Sequence, residues 1–180
     1  VRPPLISLLD ACGLSIRLDD VTTSQADVLW MLDVVASVRA VPVVAGGWGI
    51  DALVGAQTRE HRDLDLLVPA PFVESLVQAL EDASFVVTTD WLPVRVELTD
   101  SPADRHIDIH PAVDDGKRGW WQHGFDGARF ETPAAALTGG VIGGRRVRCL
   151  TAAKQLELHQ GYPLGPDDLA DIEVLRGLLP

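Results

Sequence analysis

The chain has 180 residues, of which 47% are hydrophobic and 23% charged, and its formal net charge is -11. This composition suits one folded domain with its own core and excludes a disordered chain. Acids outnumber bases 26 to 15, which argues against a nucleic-acid partner, because duplex binding uses clustered Lys and Arg.

The same charge balance would attract a cationic small molecule. Apolar runs fall short of the roughly 20 residues that cross a bilayer, and the stretch 5–9 is too short for a signal peptide. A cytoplasmic protein with no membrane partner is expected. Cys12 and Cys149 stand far apart without ligand-like neighbours, so neither a disulfide framework nor a zinc site is expected of them.

Residues 1–20 are expected to pack as an N-terminal arm. A helix over 23–39 follows, capped by Ser24, with Val28, Met31, Leu32, Val35 and Val38 at helical spacing. The run VPVVA over 41–45 predicts a short buried strand. A helix over 48–54 is then opened by Gly46-Gly47 and closed near Gly55. The stretch 63–68, DLDLLV, alternates as a strand. A helix over 71–83 buries Phe72, Leu76, Ala79 and Leu80. Three strands follow, starting near Phe85, Val94 and Arg105, with Pro102 breaking the chain between the last two. GVIGGRRVRCL reads as a hairpin turning at Gly143-Gly144. Thr151 caps a helix through His159, and Pro166 opens a last helix to Leu179. The order predicts an α/β (α+β) architecture, a mixed sheet with helices packed on it and a helical tail.

Alternate strand residues share a face, so Asp63 and Asp65 project together while Leu64 and Leu66 face the core. Two carboxylates that close repel, and burial raises their pKa. A divalent cation removes that penalty, and Mg²⁺ suits one or two carboxylates with phosphate oxygens. In HIDIH, His106, Asp108 and His110 share the face opposite Ile107 and Ile109. A zinc site on the two histidines is disfavoured, because i and i+4 on a strand lie about 13 Å apart. Asp108 joining Asp63 and Asp65 from a neighbouring strand is the more economical reading. Gly46-Gly47 after a strand offers backbone N–H groups that suit phosphate. It lacks the Lys-Ser/Thr of a P-loop and the spacing of a dinucleotide fingerprint.

Strand, Gly-Gly, helix, strand with Asp-x-Asp, then a strand with one more Asp is the layout of the polymerase-beta-like nucleotidyltransferase superfamily. GGWGIDALVGAQTREHRDLDLLV, DIHP and LELHQGYPLGPDDLADIEVL together resemble the aminoglycoside and lincosamide nucleotidyltransferases within it. The resemblance covers about 41–179. It implies a catalytic core over 1–150 with a helical segment over 151–180 packed on it. It also implies transfer of a nucleoside monophosphate, AMP from ATP as co-substrate, to a hydroxyl of a small-molecule antibiotic. Gly46 and Gly47 would face the phosphates. Asp63, Asp65 and Asp108 would hold two Mg²⁺ ions, with Asp108 also accepting the hydroxyl proton. A catalytically silent binding relative, or an enzyme adenylylating a protein partner, stands as the alternative.

Supporting candidates are Arg59, His61 and Arg62 just before the metal strand. Arg59 would touch phosphate or pair with Asp51 or Glu60 to hold the turn. Lys154 would reach the triphosphate. His159 and Tyr162 would fix a helix turn or touch nucleotide, and Asp168 and Asp171 would serve as charge partners. For the acceptor, Glu97, Asp104, Asp114 and Asp115 are candidate acids, and Trp91, Trp120 and Trp121 a candidate apolar wall. The sequence leaves the acceptor and the oligomeric state open.

Overall fold

The computed structural model describes residues 22–160 and 162–179. The expected N-terminal arm over 1–20, Cys12 with it, lies outside these residues. Helix α1 (Gln25–Ser37) starts at Ser24, whose hydroxyl accepts from Asp27 N while Asp27 accepts from Ser24 N. This capping box satisfies donors that the first helical turn leaves free. α1 buries Val28, Met31, Leu32 and Val35. Strand β1 (Val43–Val44) leads into α2 (Gly46–Val54), which Gly55 ends at φ 81. β2 (Leu64–Pro69) is followed by a short 3₁₀ turn and α3 (Val73–Asp82).

The remaining strands are β3 (Val86–Trp91), β4 (Arg95–Asp100), β5 (Arg105–Asp114), β6 (Trp120–His123), β7 (Arg129–Thr132), β8 (Leu137–Ile142) and β9 (Arg145–Leu150). Helices α4 (Ala152–Leu158) and α5 (Pro166–Gly177) end the described chain. The sheet is mixed, in the order β3-β4-β5-β2-β1-β9-β8, and β6 joins β5 and carries β7. β2 and β5 run parallel, as do β1 and β9, whereas the other pairs are antiparallel. The architecture is the mixed α/β one that the element order predicts.

Leu64, Leu66, Ile107 and Ile109 are fully buried and pack with side chains of α1 and α3. Each such side chain contributes about 1.5–3 kcal/mol on leaving water. That burial sets the register of β2 against β5, because a slip of one residue would drive Asp65 and Asp108 into the core. Residues on the other face are therefore held in fixed positions without being part of the core.

Three elements differ from the sequence reading. β6 and β7 were not expected. Their Trp120-Trp121 pair gives no clean alternation: Trp120 is buried and Trp121 half-buried. α2 begins at Gly46 itself, so the two glycines form the first turn of the helix rather than a turn before it.

Candidate active site

β2 and β5 align Asp65 directly beside Asp108, and β4 places Glu97 on the other side of Asp108. Thr89 on β3 extends the row by donating to Glu97 Oε2 at 2.7 Å. Three strands thus line up three carboxylates on the face away from the α1–α3 core. Asp65, Asp108 and His110 each bring one ligand-type atom within 4.8 Å of the others, the one such group among the described residues. His110 Nε2 lies 3.4 Å from Asp65 Oδ1. His110 shares a strand face with Asp108, two residues on, and that spacing is the signal that could have marked it.

Asp63 stands just before β2 and turns towards Arg62, 3.3 Å away. Its carboxyl is nonetheless raised above the usual range by burial and then by Asp65. Asp108 is pushed up to about 7, first by burial and then by Asp65, Asp63 and Glu97. Like charges gathered in a half-dry place disfavour ionisation. A bound divalent cation reverses that balance, and an all-oxygen pair with one imidazole suits a hard or borderline cation.

The glycine turn meets this group at close range. Gly46 has φ +57, and a Cβ there would lie 2.0 Å from Asp65 Oδ2. Gly47 is packed as tightly on His61, since a Cβ would lie 2.1 Å from Nδ1. No other residue type fits where backbone approaches a carboxylate so closely at positive φ. The N-terminus of α2 therefore opens beside the acid pair, which is where helix geometry favours a phosphate.

His61 is buried, with Nε2 2.5 Å from Asp51 Oδ2. Asp51 also accepts from Thr58 N at 2.9 Å and from Thr58 Oγ1 at 2.5 Å. Burial pushes the Asp51 carboxyl up, but the His61 and Thr58 hydrogen bonds outweigh it and hold the group below its ordinary value. This knot ties α2 to the segment that leads into Asp63 and Asp65. His61 thus supports the turn from beneath.

Arg59 lines the same cleft, but its guanidinium is committed. Nε and Nη2 grip Asp171 at 2.9 and 2.7 Å, and Nη1 donates to the Glu60 carbonyl. Arg59 was expected to touch phosphate or to pair with Asp51 or Glu60; the Glu60 contact is to its carbonyl, and the α5 link to Asp171 is a finding of the structure. Asp171 is the charge partner it was expected to be. Asp168 accepts from Tyr162 Oη at 2.9 Å and from Gly165 N at 2.7 Å.

Lys154 is not brought to the cleft. It is 6% exposed, and its ammonium donates to Glu131 O and Glu157 Oε1, each at 2.7 Å. Its neighbour Gln155 reaches the cleft instead and donates to the Gly46 carbonyl at 3.3 Å. A helix residue one position over points about 100° away, so Gln155 rather than Lys154 faces the turn.

The main cleft measures about 1110 Å³ and joins Gly46, Gly47, Asp63, Asp65, His110, Gln155 and the α5 acids. A second cleft of about 320 Å³ lies against Asp63, Glu97, His106 and Asp108. Arg62 and Asp63 border both. Of the candidate acceptor acids, only Glu97 adjoins the row. Asp114 and Asp115 accept backbone N–H groups of the 116–119 turn, and Asp104 is exposed beside His106.

A family model described as aminoglycoside-2''-adenylyltransferase matches residues 27–175. The chain belongs to this family. It is 30% identical over 157 residues to a lincosamide resistance protein of Staphylococcus haemolyticus, covering 86% of this chain and 96% of that one. It is 30% identical over 132 residues to a 2''-aminoglycoside nucleotidyltransferase of Klebsiella pneumoniae, covering 71% and 68% respectively. The crystal structure of the lincosamide antibiotic adenylyltransferase LnuA with lincomycin bound superposes with a TM-score of 0.79 at 28% identity, over 88% of this chain and 99% of that one. The chain is a nucleotidyltransferase, an enzyme class that takes a nucleotide co-substrate.

Proposed function

We propose that the protein transfers AMP from ATP to a hydroxyl of an aminoglycoside or lincosamide antibiotic and releases pyrophosphate. The observation that carries this reading is the side-by-side placement of Asp65 and Asp108 against the Gly46 backbone. The family match and the relatives named above support it.

Asp63, Asp65 and Asp108 would hold two Mg²⁺ ions, with His110 beside them. The fit rests on the ligand atoms that Asp65, Asp108 and His110 already gather, and on the Asp63 and Asp108 carboxyls, raised by burial and then by the neighbouring acids. When bound, the ions neutralise phosphate charge and make the acceptor hydroxyl more acidic. The backbone N–H groups at Gly46 and Gly47 receive phosphate oxygens in the larger cleft. Gln155 and the His61–Asp51 knot keep that backbone in place. Asp108, bordering the smaller cleft, accepts the proton as the hydroxyl oxygen bonds to the α-phosphorus. The bond from the α-phosphorus to the bridging oxygen breaks, and pyrophosphate leaves. Most of the rate comes from positioning and charge complementarity rather than covalent chemistry.

A screen of purified protein with ATP or GTP, Mg²⁺ and a panel of both antibiotic classes tests this. Pyrophosphate release coupled to an acceptor heavier by one nucleoside monophosphate is the expected result. Antibiotics recovered unmodified across the panel would sink the reading.

A further inference from the structure

Arg95 stands opposite Trp91 in the β3–β4 pair. Its guanidinium carbon lies 4.7 Å from the centre of the Trp91 ring. One Nη pairs with Glu97, the other lies 3.6 Å from Asp108, and Nε is buried without a partner among the described residues. Trp91 meets Phe125 edge-on at 5.6 Å. Trp91, Leu92 and Phe125 are 48%, 49% and 58% exposed. A fixed cation and an exposed apolar surface thus flank the row of carboxylates on its β4 side.

We propose that Arg95 is the residue that sets acceptor selectivity, favouring acceptors with one basic group and an apolar body over polyammonium ones. The proposal rests on the reading of the protein as an antibiotic nucleotidyltransferase.

Glu97 is the candidate acceptor acid that the fold brings to the site, and Arg95 already pairs with it. An arginine keeps its charge at every working pH, and its planar group binds a carboxylate and an aromatic face together. An acceptor ammonium reaching for Glu97 must displace that guanidinium or lie beside it. Either costs more for each further positive charge the acceptor carries. Aminoglycosides carry several ammonium groups, lincosamides one basic nitrogen and an alkyl part. The alkyl part finds exposed apolar surface in Trp91, Leu92 and Phe125. The acidity of the whole chain would suggest the opposite preference, so the local pairing decides against the global charge.

The test is steady-state kinetics with Mg²⁺ and ATP on lincomycin and tobramycin, for the wild type, Arg95→Gln, Arg95→Lys and Glu97→Gln. The wild type should favour lincomycin in kcat/KM. Arg95→Gln should narrow the lincomycin-to-tobramycin ratio by roughly tenfold or more, mainly through a lower KM for tobramycin. Arg95→Lys should keep most of the wild-type ratio, and Glu97→Gln should widen it. A wild type that prefers tobramycin, or a ratio within about twofold of wild type in Arg95→Gln, overturns the proposal while leaving nucleotidyl transfer intact. Should Arg95→Gln fail to fold, an unwidened ratio in Glu97→Gln overturns it equally. Failure of the wild type to modify either antibiotic would instead overturn the functional reading on which the proposal rests.

Discussion

Asp65 and Asp108 are register partners across the parallel β2–β5 pair, with the Gly46 backbone against Asp65. Their neighbours Leu64, Leu66, Ile107 and Ile109 are buried on the opposite face. Core packing therefore forces two carboxylates together at a place where their mutual repulsion is expensive. Burial first, and then the neighbouring acids Asp65, Asp63 and Glu97, push the Asp108 carboxyl up to about 7.

The first consequence concerns pH in the absence of metal. Asp108 has a folded-state pKa above its unfolded value, so its contribution to stability is full below the unfolded value, near 4, and is lost as pH rises through about 7. Thermal melts in a chelator should show Tm falling across that window. Asp108→Asn should flatten the slope and melt higher than wild type at pH 8. Saturating Mg²⁺ should raise the wild-type Tm at pH 8 and leave Asp108→Asn nearly unmoved.

The glycine turn should tolerate little. Gly46→Ala places a methyl on Asp65 Oδ2 at a positive φ, a conformation that costs of order 1–3 kcal/mol before any clash is counted. KM for ATP should rise about tenfold or more, with a lower Tm. An alanine variant with wild-type KM would show that the turn does not face phosphate.

The Asp51–His61 knot should govern acid stability. Asp51 is held below its ordinary value, so its stabilisation is present above the unfolded pKa and is lost as pH falls through the folded one. His61→Ala removes one hydrogen-bond partner of the Asp51 carboxylate and leaves it the two Thr58 donors, a loss of about 1.5–3 kcal/mol. Urea unfolding at neutral pH would measure the loss. Asp51→Asn should weaken the acid-dependent part of the unfolding profile.

Lys154 and Gln155 make a paired prediction. Lys154→Met should leave KM for ATP within about twofold and cost about 1 kcal/mol of stability, because it removes the hydrogen bonds from the Lys154 ammonium to the Glu131 carbonyl and Glu157. Gln155→Ala removes the donor to the Gly46 carbonyl and should raise KM for ATP. The reverse pattern would return Lys154 to the triphosphate.

The sequence carries most of the fold because each main element has its own local signature. Ser24 with Asp27, the alternation around Leu64 and Leu66, and the Gly143-Gly144 turn are each readable within a few residues. β6 and β7 are not, since their placement depends on the far end of β5 rather than on their own pattern. The same division holds at the site. Asp63, Asp65, Asp108 and the glycine pair stand out by spacing. His110 shares the spacing of Asp108, whereas Gln155 and Arg95 acquire their surroundings from helix rotation and strand register, which spacing alone does not give. Arg95 in particular lies in VRVEL, where nothing local marks it apart from an ordinary strand cation.

The central claim is that this acid pair and glycine turn direct attack at the α-phosphorus. It is tested most directly by incubating the protein with Mg²⁺, lincomycin and ATP labelled either at the α- or at the γ-phosphoryl group. The account predicts that the antibiotic acquires the α label only, that a chelator abolishes transfer, and that Asp65→Asn and Asp108→Asn each abolish it in folded protein. Acquisition of the γ label, or undiminished α transfer by either variant, would contradict it.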